Sequence, residues 1–440
     1  MTEATREPDP PTPSAPWWLA VGAGAAAFAC VAVVALAIGV AEWLAAGRPF
    51  GLRLPWKLAG LYIGAFHGAG VRAVGSGMFG VGVASLSFVD VPTETTLHVT
   101  FLLGTGIAAG ALWWAGRAVA GRAGGSVGRR LVWGAAVAPA YALLVFGVSI
   151  AVVLRFPSAG ITDLRVVAWE ALAGSLVVAG VAGAAGGFAS CRGSLAPSEP
   201  RGARAIAWIR GGWRMFVALM VLSLGGFLAV AALQTGASST YVRGLSGMGR
   251  SGAIVAGHHV LLLPDQLLLM AVPAMGGCLE LEGFDSQTST LCPRALTVRP
   301  GWGDLLLADR PSDVLPLSPV WLLFLLVPAL ATGWGGRAAA LDAVSAGERV
   351  LRGAGAGVVF AALTAAGVAV SAVSVTRSDQ ELIRLGADLG RTVLLGLAWG
   401  VIGGALGSSV QTRAQADGVV SAVGSDAEPE PEDRPSPTSV

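Results

Sequence analysis

Apolar runs of membrane length alternate along the chain with short clusters of arginine and glycine. A helix needs about 20 mainly apolar residues to cross the hydrocarbon core of a bilayer. Eight stretches meet that length: 17–44, 96–116, 131–154, 166–189, 211–234, 318–336, 352–375 and 391–410. Two further stretches are apolar but interrupted. Residues 58–71 are few and broken by glycine ("LYIGAFHGAG"), and 254–275 are cut by Pro264, which removes a backbone donor and disfavours helix at Leu263. The pattern predicts an all-α fold, a polytopic transmembrane helical bundle of eight spans. The interrupted segments read as elements at its outer face, dipping in and returning.

Composition agrees with that solvent. Hydrophobic residues make up 54% of the 440 and charged residues only 13%, against about 25% charged in soluble domains. A net charge of +2, with basic residues in short clusters between apolar runs, gives no stripe for nucleic acid. Both ends, 1–16 and 413–440, are polar and proline-rich and bury too little apolar surface to order, so they read as disordered tails. The polar start is followed by an apolar run too long for a signal-peptide core, which makes Trp17 the beginning of a retained span.

Short cytoplasmic loops collect arginine. Arg117, Arg122, Arg129 and Arg130 lie between the second and third spans, and Arg192, Arg201, Arg204, Arg210 and Arg214 between the fourth and fifth. With a third cluster at Arg337–Arg352, they place both termini in the cytoplasm. If both interrupted stretches crossed, the loop with Arg337 would face outward, against the charge pattern. The expected setting is a bacterial cell membrane, with the lipid bilayer as the surrounding partner.

Collinear similarities divide the chain in two. "WAGRA" at Trp114–Ala118 answers "WGGRA" at Trp334–Ala338, "RRLVWGA" at Arg129 answers "ERVLRGA" at Glu348, and "DL" at Asp163 and Asp388 precedes the last span of each half. We therefore expect a first membrane repeat at 17–192, a cytoplasmic linker at 193–204 and a second repeat at 205–412. This arrangement, with "LLLPDQ" and "LAWGVIGGALGS", resembles a group of multi-pass membrane proteins of streptomycetes, the streptophobe-type proteins. The resemblance implies the architecture and carries no activity, cofactor or site.

Reactive motifs are sparse. No C-x-x-C, H-E-x-x-H, G-x-S-x-G or P-loop occurs, so metal, hydrolase and nucleotide chemistry have no anchor, and neither an enzyme nor a cofactor is expected. Polar residues at membrane depth carry more weight, because a charge there is costly and faces a cavity or a partner. Glu42 can reach the interface from the first span, and Glu170 is placed to pair with Arg165. His67 and Arg72 in the first interrupted stretch, and His258, His259, Asp265 and Gln266 in the second, occupy comparable places in the two halves. They read either as parts of hairpins that cap the bundle or as the lining of a solute path between the halves. Cys278 and Cys292 flank an acidic outer loop where a disulfide is permitted. Two functions follow: a non-enzymatic structural or regulatory membrane protein, with protein partners met through outer loops or the acidic tail, or a small-solute or ion transporter.

Overall fold

In a computed structural model, residues 17–47, 53–75, 78–79, 89–90, 94–156, 161–191, 200–233, 243, 246–247, 249–282, 288–291, 325–377 and 380–410 are described. The first half begins with α1 (Trp17–Ala45) and α2 (Arg53–Ala65), followed by strands β1 (Val71–Gly75), β2 (Met78–Phe79), β3 (Val89–Asp90) and β4 (Glu94–His98). Next come α3 (Leu102–Ala123), α4 (Val127–Ala135), α5 (Ala138–Ala151), β5 (Val153–Phe156), β6 (Ile161–Val166) and α6 (Ala168–Ala189). The second half has α7 (Pro200–Leu233), α8 (Arg250–Leu261), α9 (Leu263–Ala274), β7 (Leu279–Glu282), β8 (Thr288–Leu291) and α10 (Leu326–Ala339). It ends with α11 (Ala346–Ser371), β9 (Val373–Arg377), β10 (Gln380–Ala387) and α12 (Leu389–Leu397), which runs into a π turn at Ala398–Gly403.

Six helical stretches among the described residues are long and apolar enough to cross a membrane: Trp17–Ala45, Val127–Ala151, Ala168–Ala189, Arg204–Gly226, Ala346–Ser371 and Leu389–Val410. Large apolar side chains on them face outward, as lipid-facing helices require, with Val33 and Val181 more than two-thirds exposed. Exposed tryptophans stand at the starts of α1 (Trp17, Trp18) and α6 (Trp169), where an amphipathic ring suits the membrane boundary. The expected spans at 96–116 and 318–336 differ in detail. Residues 94–98 form β4 and the helix starts only at Leu102, while 318–324 lie outside the described residues.

Helices meet through small residues, because lipid gives helix association no hydrophobic drive and close backbone contact must supply it. At Gly116 a Cβ would lie 2.3 Å from the Gly183 carbonyl oxygen, and at Gly336 it would lie 2.2 Å from that of Gly404. These glycines sit inside "WAGRA" and "WGGRA", so the resemblance of the two segments reflects one packing demand met twice.

The all-α expectation needs correcting. Eight strands form one antiparallel sheet in the order β5-β6-β1-β4-β9-β10-β7-β8, while β2 and β3 form a separate pair. Every strand of the large sheet belongs to a hairpin linking α2 to α3, α5 to α6, α9 to α10, or α11 to α12, so the sheet lies at one end of the bundle. Alternation fixes its faces. Leu97, Val373 and Val375 point onto the helix tops beside Tyr62 and Phe66, and Ala73 packs with Leu54, Leu154 and Leu164, while Glu381 and Arg384 on the other face are exposed. The opposite end carries connections that begin at Gly124, Cys191 and Ala340; at the first, Gly124 and Gly125 adopt positive φ of 60° and 82°. One similarity does not survive: Asp163 lies within β6, whereas Asp388 caps α12 by accepting from the Arg391 N–H at 2.8 Å.

Candidate functional site

The polar groups of interest gather where the two halves meet. The run from Arg250 to Ala274 breaks at Leu262, just before Pro264, into helices bent by 59°. The bend sends α8 toward α1 and α2 and places the first turn of α9 against the start of α3. Trp399 holds the far end of α9 by donating its indole N–H to the Met275 carbonyl at 3.0 Å.

Glu42, Tyr62 and His258 form the first cluster. The Tyr62 hydroxyl is hydrogen-bonded to Glu42 Oε1 and lies 2.9 Å from His258 Nε2, which is itself 3.0 Å from Glu42 Oε1. His258 Nδ1 donates to the Ile254 carbonyl one turn back at 3.0 Å. Two proton arrangements satisfy the trio: imidazolium with carboxylate, or neutral imidazole with carboxylic acid. Both leave zero net charge, which offsets much of the cost of removing these groups from water. The Glu42 side chain is 16% exposed and is held by these partners.

Asp265 makes the second contact across the halves. Its Oδ2 accepts from the Leu102 N–H at 3.1 Å, an otherwise orphan donor at the start of α3. The residue is 3% exposed, and Oδ1 has no hydrogen-bond partner among the described residues. Beside it, Gln266 Nε2 lies 2.9 Å from His259 Nδ1.

His67 is elsewhere. It follows α2 and packs between α5 and α6, with Nδ1 donating to the Ile63 carbonyl at 2.6 Å and Nε2 accepting from the Tyr141 hydroxyl at 2.9 Å. Burial pushes the imidazole down to about 4 from its ordinary 6.5, so the ring is neutral near pH 7, as the accepting role of Nε2 requires. Arg72 sits on β1 in an ion pair with Glu94 of β4. Of the six candidates, His258, His259, Asp265 and Gln266 thus lie on the bent pair α8–α9, with His259 and Gln266 in contact, while His67 and Arg72 lie apart from them.

Sequence reasoning missed Tyr62 and Tyr141, although rarity is a signal. The chain has three tyrosines and four histidines, and two of each are bonded together. Glu170 does not pair with Arg165: it accepts from the Gly70 N–H at 2.6 Å and faces His98 Nδ1 at 3.5 Å, while Arg165 lies 3.7 Å from Asp163. Cys278 is disulfide-bonded and Cys30 and Cys191 take no part in a disulfide, whereas Cys292 lies outside the described residues. No cluster of three or more metal-ligating side chains occurs among the described residues.

No family model matches the chain, and neither a curated protein nor a solved structure matches it.

Proposed function

We propose that the protein is a non-enzymatic structural or regulatory protein of a bacterial cell membrane, with eight spans in two sequence-related halves and both termini in the cytoplasm. The eight are the six stretches named above together with α3 and α10. Duplication is supported by the order of elements: each half runs helix, short helical segment, hairpin, two spans, hairpin, span. Within the sheet, β5-β6-β1-β4 and β9-β10-β7-β8 are the corresponding strands in the same order. The arginine-rich connections argue that the end opposite the sheet is cytoplasmic, which puts the sheet outside.

One observation carries the non-transporting reading. At the junction of the halves, buried polar side chains are spent on each other: Glu42 and Tyr62 on His258, and Asp265 on the N-terminus of α3. Groups lining a path keep their donors and acceptors for the solute; these tie the halves together. What remains for function is the outward polar face of the sheet, with Glu381 and Arg384, and the acidic tail, both suited to protein partners.

The second reading, a small-solute or ion transporter, rests on the partnerless Asp265 Oδ1 beside a bent helix pair. Flux measurements in proteoliposomes separate the two. Our reading expects no protein-dependent movement of protons, sodium, potassium or amino acids above that of empty vesicles. A saturable flux that Asp265→Asn abolishes would establish the transporter instead.

A further inference from the structure

At the sheet end of the bundle, Arg53, Lys57 and Arg155 line one cavity of about 410 Å3 between the first turns of α2 and the start of β5. The rest of its wall is apolar, with Leu54, Ala151 and Leu154, and among the described residues no carboxylate lines it. None of the three cations makes an ion pair among the described residues. Lys57 is the only lysine of the chain, and its Nζ is aimed by donating one hydrogen to the Val153 carbonyl at 2.7 Å, leaving two to give. Arg53 stands at the start of α2, whose N-terminal dipole adds to the positive potential.

We infer that this recess binds a phosphate group, carried by the headgroup of an anionic phospholipid or free as inorganic phosphate. Three uncompensated cations around one apolar-floored recess repel each other until an anion joins them, and the low-dielectric floor strengthens the attraction. Several donors from separate elements, two of them guanidinium forks, match an oxyanion with more than one oxygen to offer. Depth favours a lipid. Ala151 is the last residue of α5, where the helix leaves the apolar zone, and Trp56, half-exposed on the same turn as Lys57, suits the headgroup layer. Ala151, exposed at the end of α5, and the half-buried Val153 then face the glycerol and first acyl carbons. The corresponding place in the second half has Val373 and Val375 where β5 has Val153 and Arg155, so the site belongs to the first half alone. The inference rests on the membrane placement of the helices and is independent of whether the protein transports anything.

The test uses the full-length protein. Native mass spectrometry after exchange into nanodiscs of phosphatidylcholine mixed with phosphatidylglycerol reads retained lipid; a thermal shift with inorganic phosphate in zwitterionic detergent reads the free anion. Each basic residue near a headgroup is worth about fivefold in affinity. Wild type should hold phosphatidylglycerol over phosphatidylcholine, and the Arg53→Gln/Arg155→Gln variant should lose that preference. Both arginines are exposed, so the variant should keep its circular dichroism and elution volume. Preference for the anionic lipid without a phosphate response identifies a lipid site; a phosphate response lost in the variant without lipid preference identifies a free-anion site. Equal retention of both lipids by wild type with no phosphate response overturns the inference whatever the variants do, as does a preference the variant keeps.

Discussion

Tyr62 shows what one buried side chain does at the junction of the halves, because its single hydroxyl contacts both Glu42 of α1 and His258 of α8. Tyr62→Phe keeps the ring packing against Phe101 and removes only those bonds, so it should cost roughly 1–2 kcal/mol, the range of interhelical hydrogen bonds. Glu42→Ala should cost more, roughly 3 kcal/mol, since it strands His258 in a buried site. Thermal unfolding in detergent checks both, and equal stability of Glu42→Ala and wild type would remove the trio from the account. His67 gives a pH dependence. Its imidazole is held down to about 4 in the fold and returns to about 6.5 when unfolded, so its contribution is complete above pH 6.5 and falls as pH drops toward 4. The loss approaches about 1.4 kcal/mol per pH unit. Between pH 7 and pH 5 the melting temperature of wild type should therefore fall further than that of His67→Gln.

At the scale of elements, helices were legible and strands were not, for a physical reason. A spanning helix satisfies its backbone within itself and announces its solvent by about 20 apolar residues. The strands have only two to eight residues, and the pairings that join one hairpin to the next reach far along the sequence: Leu97 of β4 pairs with Val375 of β9. Nothing local in "ETTLH" or "VSVTR" announces that pairing. Interruption at Pro264 was legible because proline acts locally, whereas the contacts made by His258 and Asp265 depend on where the bend sends each helix. The glycines of "LAWGVIGGALGS" acquire a reason only in the fold: Gly404 meets Gly353 and Gly407 meets Gly333. A Cβ at Gly404 would lie 2.3 Å from the Gly353 carbonyl oxygen, so Gly404→Ala should destabilise by about 1–3 kcal/mol through overpacking. Gly147→Ala on α5 faces open space and should change nothing. Propensity favours alanine over glycine within a helix, so similar losses in both variants would mean that close approach does not distinguish these positions. In the hairpin after α9, non-reducing peptide mapping should recover a linked Cys278–Cys292 peptide, with Cys30 and Cys191 alkylated; recovery of alkylated Cys278 and Cys292 from native membranes would contradict the bridge.

For the whole molecule, the central claim is that the halves are fastened twice. The β4–β9 pairing joins their sheets at one end, and the contacts of Glu42, Tyr62, His258, Asp265 and Leu102 join their helices below it. That arrangement requires every hairpin to lie on one side of the membrane and every arginine-rich connection on the other. Single-cysteine labelling of intact cells with a membrane-impermeant maleimide tests it most directly, in a background with Cys30 and Cys191 replaced by serine. Arg384→Cys on β10, exposed on the sheet's polar face, should label from outside. Val344→Cys, in the connection between α10 and α11 and 91% exposed, should label only after the membrane is permeabilised, and so should Gly121→Cys near the end of α3. Labelling of all three from the same side, or of Val344→Cys alone from outside, would contradict the eight-span arrangement with its sheet on the exterior.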